Sequence, residues 1–195
     1  MPSTFGESQL QELKELLQTK KIVGVKLYTG YEHFYPSDPK LHGLYQFCSD
    51  HGFPVMFHTG LLLVGSSGLL KYSHPLNIDE LANQFPRLKI VMAHFGNPWL
   101  ADCGAVLWKN TNVYADFSGF FTEYQPIAVK EKREFIECAG YLASFVGGFQ
   151  KFLFGTDWPL YSQKEYVQVV KSLKMSTGEK DLVFWKNAKN IFNLE

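Results

Sequence analysis

The stretch LKIVMAHFG, Leu88 to Gly96, decides the fold. Its apolar run shows no polar alternation, ends on a histidine and is closed by a glycine. A short run without alternation fits a strand buried on both faces. The same pattern occurs four more times: IVGVKLY (Ile22 to Tyr28), PVMFHTG (Pro54 to Gly60), TNVYADFSG (Thr111 to Gly119) and KFLFGTDWP (Lys151 to Pro159). Between these runs the apolar spacing changes to that of helices. Leu41, Leu44, Tyr45 and Cys48 follow the i, i+3, i+4, i+7 rule, after Ser37-Asp38-Pro39 and before Gly52. Ile78, Leu81, Ala82 and Phe85 make a second such face. Asn97-Pro98 opens a third helix, running to about Trp108, and a fourth is expected from about Val129 to Phe145. Two more carry Tyr166, Val167, Val170 and Leu173, then Leu182, Trp185, Ala188 and Ile191. At the start of the chain, Thr4 to Glu7 has capping-box spacing ahead of a stripe of Leu10, Leu13, Leu16 and Leu17.

About five strands alternating with helices predict an α/β protein with a parallel sheet. An open doubly wound sheet and part of a (β/α)₈ barrel both fit the alternation; no GxGxxG follows a strand, which counts against the dinucleotide-binding version of the first. The length, 195 residues, suits a single domain over 1–195. Nineteen basic residues balance nineteen acidic ones, so no long-range field favours nucleic acid or anionic lipid. No apolar stretch is long enough for a membrane span and no signal peptide is visible. Cys48, Cys103 and Cys138 are few, odd in number and far apart, as expected of reduced thiols in a cytoplasmic protein.

The ionisable residues share one location. Lys26, His58, His94, Asp116 and Asp157 fall at or near the C-terminal ends of the five runs. In a parallel sheet those ends open on one side, and in a barrel that rim carries the active site. A single histidine after an apolar strand is ordinarily a hydrogen-bonded structural group, but five strands ending this way are hard to ascribe to packing. Gathering such groups costs free energy unless a metal or substrate pairs with them. Imidazole and carboxylate are ordinary zinc ligands, and a bound divalent metal lowers the pKa of its water to about 7. A lysine nearby could hold a substrate carboxylate.

The runs GVKLY, PVMFHTG, KIVMAHFG, NVYADFSG and FLFGTDWP, with NAKNIFNL near the end, resemble the amidohydrolase superfamily, most closely its amidohydrolase-related (type 2) branch of metal-dependent TIM-barrel enzymes. The resemblance covers nearly the whole chain. It implies a metal-dependent hydrolase acting on a small carboxylated, ester or amide substrate, or a nonoxidative decarboxylase on the same scaffold. By resemblance, His58, His94 and Asp157 are expected to serve a divalent metal, zinc by expectation. Asp157 and His94 are the expected proton-transfer groups, and Lys26, Asp116, Ser118 and Trp158 are expected to line the substrate pocket.

One departure is plain. The family's first strand carries an HxH pair, and the histidines here (His33, His42, His51, His58, His74 and His94) include no two that are two apart. About three βα units of the family pattern have no counterpart ahead of Met1, and a full barrel takes about 250 residues. The expectation is therefore a partial barrel, the C-terminal five-eighths, from a truncated or mis-started chain. A homo-oligomer or a partner would complete it, and the rival reading is a noncatalytic interaction subunit. His33 and His74 lie in expected loops, poorly placed to replace the missing pair. The segment Gly60 to Gly68 lacks the Lys-Ser/Thr ending of a P-loop and is expected to be a loop over the mouth. Phe117, Phe120, Phe121 and Tyr124 either cover the pocket or pack against the outer helices.

Overall fold

The computed structural model describes residues 7–19, 22–121 and 126–195. The Thr4 end of the expected capping box and Tyr124 lie outside them. Five parallel strands form one sheet in the order β1-β2-β3-β4-β5. They are β1 (Val25–Leu27), β2 (Val55–His58), β3 (Ile90–Ala93), β4 (Val113–Asp116) and β5 (Phe152–Leu153). The helices are α1 (Glu7–Gln18), α2 (Thr29–Glu32), α3 (His42–His51), α4 (Leu70–Ser73), α5 (Asn77–Gln84), α6 (Leu100–Lys109), α7 (Val129–Phe145), α8 (Gln163–Lys171), α9 (Thr177–Asp181) and, after a π-helical turn at Leu182–Lys186, α10 (Asn187–Phe192).

The strand order settles the choice between the two architectures. A doubly wound sheet reverses its winding at a switch point. Here every crossover moves one strand in the same direction, which is barrel winding. Side-chain alternation then sorts residues between two faces. Val55, Phe57, Ile90, Met92, Val113, Ala115 and Phe152 point towards the helices and share one core with Leu44 and Tyr45 of α3, Leu81 of α5, Leu107 of α6 and Phe135 of α7. The other face is concave. Its pairing sets Lys26 beside Met56, and Met56 beside Val91. Val91 and Leu153 are buried there by Ile191, with Met56, Tyr114, Ala188 and Phe192 packed around them. The C-terminal helix thus closes one end of the concave side. Its anchor is Asn187, whose buried Nδ2 donates to the carbonyls of Phe149 (2.9 Å) and Phe152 (2.7 Å).

Element ends follow local chemistry. Asp38 accepts from the Lys40 amide with Pro39 in the first turn, and α3 stops at Gly52, whose left-handed φ of 73° a Cβ would disfavour. The strands are shorter than the apolar runs that contain them. Gly60, His94 and Asp157 all have positive φ, which turns the chain out of the ladder at the rim. Two one-turn helices, α2 and α4, fall in segments whose short spacing gave no helical signal. Cys48, Cys103 and Cys138 are free; burial pushes the Cys48 thiol up to about 12 and raises Cys103 as well.

The anchor gives a direct test. Asn187→Ala removes the donor to two buried carbonyls and is expected to cost about 1–3 kcal/mol in urea unfolding. The exposed neighbour substitution Asn190→Ala is expected to stay within about 0.5 kcal/mol. Equal effects would remove the assigned role of Asn187.

Candidate active site

Two buried imidazoles sit at the ends of β2 and β3. His58 is the last residue of β2 and His94 the first after β3; they are 8% and 5% exposed. Nε2 of His94 lies 3.1 Å from Nδ1 of His58. The other ring nitrogens are also engaged: His58 Nε2 is 2.9 Å from the Leu61 carbonyl, and His94 Nδ1 is 2.9 Å from Ser118 Oγ. Because a carbonyl only accepts, His58 donates from Nε2. Tyr28 stacks on the His58 ring at 5.8 Å between centroids, and Tyr31 lies at 5.3 Å. Lys26 Nζ stands 5.1 Å over the Tyr28 ring.

Asp116 ties the histidine to its neighbour strand. Its Oδ1 accepts from the amides of His94 (2.9 Å) and Ser118 (3.0 Å) and from Ser118 Oγ (2.5 Å). His94 takes a φ of 64° and Asp157 a φ of 60°. Left-handed backbone at non-glycine residues costs on the order of 1–3 kcal/mol and concentrates at functional sites.

A cavity of about 610 Å³ opens over this pair. His58, His94, Lys26 and Asp157 line it, so the strand ends do converge on one cavity. Asp116 and Ser118 are not on its wall: they are buried behind His94, 7% and 4% exposed, held there by their own hydrogen bonds. Trp158 also stands outside the wall, 69% exposed, because the turn at Asp157 directs it to solvent. The wall expected of these three is made instead by Tyr28, Tyr31, Phe120, Phe121 and Tyr161, with Glu32 and Asn97 as further polar groups. Of these, the sequence singled out only Phe120 and Phe121. Of the others, Tyr28 closes the first apolar run, Tyr31 and Glu32 lie in the single turn of α2, and Asn97 and Tyr161 lie in loops, where spacing gives no sign of a cavity wall. Leu61 to Val64 border the mouth, as expected of a loop there. The aromatic cluster divides. Phe120 and Phe121 line the cavity and also pack on Phe135 of α7, whereas Phe117 packs on Phe135 and Phe152 and takes no part in the lining. His33 bonds the Ser67 carbonyl and His74 pairs with Asp102 at 3.5 Å.

The donor types suit a divalent ion. Two imidazole nitrogens on a tetrahedral zinc are about 3.3 Å apart, given Zn–N bonds of about 2.0–2.1 Å, and the observed 3.1 Å is close to that. The donor number falls short. Among the described residues no group of three His, Cys, Asp or Glu is near enough to hold a metal, so His58, His94 and Asp157 are not gathered into the expected three-ligand set. The physical reason is that the two imidazoles face each other at 3.1 Å while Asp157 sits beyond a separate turn, acting on His58 through its charge.

The family model for amidohydrolases matches residues 1–194, and the chain belongs to that family. Among curated proteins none matches this chain. Similar solved structures include a TIM-barrel protein and amidohydrolases. An uncharacterised TIM-barrel protein from Bordetella bronchiseptica is 25% identical, with a TM-score of 0.72; the match covers 94% of this chain and 62% of that one. A probable 2-pyrone-4,6-dicarboxylic acid hydrolase from Acinetobacter baumannii, with citric acid bound, is 19% identical, with a TM-score of 0.69 and coverage of 94% and 68%. A dihydroxybenzoic acid decarboxylase from Polaromonas, with bound manganese and 2-nitroresorcinol, is 17% identical, with a TM-score of 0.68 and coverage of 95% and 65%. The chain therefore spans about two thirds of the length of these neighbours, and its fold is a partial (β/α)₈ barrel.

Burial, helped by the nearby His94, pulls the His58 pKa down to about 4. Unfolded histidine titrates near 6.5. The unfolded chain thus binds this proton first as pH falls, and stability is full above about 6.5 and lost towards 4. In metal-free protein, urea unfolding is expected to show wild type losing up to about 3 kcal/mol more than His58→Gln between pH 7 and pH 4. Parallel pH profiles for the two proteins would remove the assignment of His58 as a buried neutral imidazole.

Proposed function

We propose that this cavity is the substrate site of a metal-dependent hydrolase acting on a small carboxylated, ester or amide substrate. The observation that carries the reading is the pair of buried imidazoles, 3.1 Å apart, on a cavity that also holds Lys26 and Asp157. His58 and His94 would hold the metal, with Asp157 as the carboxylate of the same cavity. Zinc remains our expectation, and manganese is the ion bound in the Polaromonas neighbour. A divalent ion bound there supplies Lewis acidity and a water of pKa about 7.

The chain's own groups account for the remaining tasks. The ammonium of Lys26, which stands over the Tyr28 ring, pairs with a substrate carboxylate. Tyr28 and Tyr31 cover His58 and exclude water from its ring face. Asp157 takes up and returns a proton at its carboxylate, and His94 is the second proton-transfer group. Nonoxidative decarboxylation uses the same groups, and the Polaromonas decarboxylase favours it as the second reading. The two differ in product: CO₂ marks decarboxylation and a new carboxylate marks hydrolysis.

Neither β1 nor β5 has a second neighbour among the described residues. Our reading is that a second copy of the chain, or another polypeptide, covers these edges and completes the donor set. A chain lacking such a partner would be the noncatalytic interaction subunit. The three free thiols suit a cytoplasmic setting, and no helix among the described residues is long and apolar enough to cross a membrane.

Metal binding tests the site. Equilibrium dialysis against Zn²⁺ or Mn²⁺ is expected to load the wild type and leave His58→Ala without specific binding. Unchanged affinity in His58→Ala would sink the assignment, and a wild type that takes up neither ion would favour the noncatalytic subunit.

A further inference from the structure

We propose that Asp116, acting through the Ser118 hydroxyl, is a positioning group that fixes the tautomer of His94 and presents its Nε2 lone pair to His58 and the cavity. The purpose of that arrangement rests on the metal-site reading above. The tautomer itself rests only on counting protons along the hydrogen bonds.

The count begins at Asp116. Its Oδ1 already accepts from two backbone amides, which can only donate. That oxygen is therefore an acceptor in its third contact as well, and the 2.5 Å approach of Ser118 Oγ uses the serine's own proton. Ser118 has no second proton to give. Its 2.9 Å contact with His94 must then use an imidazole proton, so Nδ1 of His94 is the N–H and Nε2 is left with a lone pair in the neutral ring. The same logic applies at the other end of the relay. The Leu61 carbonyl takes the Nε2 proton of His58, which leaves a lone pair on Nδ1. The two free lone pairs are the ones that meet at 3.1 Å. Facing lone pairs repel unless a cation lies between or beside them. A carboxylate or carbonyl on the far nitrogen of each ring is the usual support of a metal-binding histidine.

The packing holds this relay in place. A Cβ at Gly119 (φ 60°) would collide with Nδ1 of His94, so only glycine leaves room for the ring beside Ser118. A Cβ at Gly155 would come within 3.1 Å of the Ser118 Cβ and 3.4 Å of the Asp116 carboxyl carbon. The relay is thus sandwiched between two backbone segments that lack side chains. A network that served only to join β3 to β4 would need the two amide contacts of Asp116 and no serine–imidazole contact.

The test reads the tautomer directly. The full chain, labelled with ¹⁵N-histidine and stripped of metal with EDTA, is studied by long-range ¹H–¹⁵N NMR at pH 8, with His94→Gln identifying the signals. Wild type is expected to carry its proton on Nδ1 of His94. In Ser118→Ala the proton is expected to move to Nε2, where it can be donated to His58, while Ser118→Thr keeps the wild-type pattern. Zn²⁺ affinity is expected to fall about 10–100-fold in Ser118→Ala and to stay within a few-fold in Ser118→Thr. A wild-type His94 protonated at Nε2 overturns the proposal without any variant. A Ser118→Ala protein with the wild-type tautomer overturns it too. The expected tautomers in a wild type that binds no metal would uphold the relay and defeat the functional reading.

Discussion

One carboxylate oxygen organises the rim of this protein. Oδ1 of Asp116 accepts from the amide where β3 ends and from the amide and hydroxyl of Ser118 just past the end of β4. Those bonds compensate a backbone that would otherwise be unfavourable, since His94 and Phe95 both adopt positive φ. They also satisfy a buried carboxylate oxygen without an ion pair, because three donors converge on it. With the backbone turned at His94, its ring points back over the end of β2 and meets His58. The end of β3 and the contact between the two imidazoles follow from that turn.

The two faces of the sheet have different physics. The helix-facing side is filled by aromatic and aliphatic groups, with Phe95, Phe117, Phe120, Phe121 and Phe135 in mutual ring contact. Tyr166 bridges this cluster to the rim, donating to the Phe117 carbonyl and accepting from the Phe120 amide. The concave side is apolar only where α10 covers it, around Val91, Leu153 and Ile191. Beyond that plug, Lys26 and Tyr28 are exposed. Rigidity on one face and accessibility on the other are what a binding cavity requires.

The fold was legible because its signal repeats. Five apolar runs with the same terminal pattern, separated by helical spacing, leave few architectures open, and the motif resemblance selected the barrel that the strand order then showed. The convergence of Lys26, His58, His94 and Asp157 on one cavity was legible for the same reason, since parallel strands put their ends together. Other features were hidden. Asp116 and Ser118 carried the right residue types for a wall, but a period of two says which face a residue takes and not whether another side chain stands in front of it. Trp158 lies outside the cavity lining, after a left-handed Asp157, and aspartate in a loop gives no warning of such a turn. Tyr31 and Glu32 come from a single helical turn, too short for a periodic signal, and Tyr28 is the residue that precedes it.

The shortage of metal donors and the open sheet have a common geometric cause. In a closed barrel each tier of interior side chains is contributed from around the whole circle, so groups at the rim approach the axis from all sides. Here five strands supply one arc of that circle. His58 and His94 project from adjacent strands of the arc and can touch each other, whereas Asp157 follows β5 at its far end and reaches the pair only through its charge. An arc can therefore assemble two neighbouring donors and present further polar groups to the same space. It cannot surround an ion, because the directions still open at the axis face the side where the described sheet has no strand. Whatever occupies that side determines whether the imidazole pair serves as half of a coordination sphere or stays two buried rings held by Leu61 and Ser118.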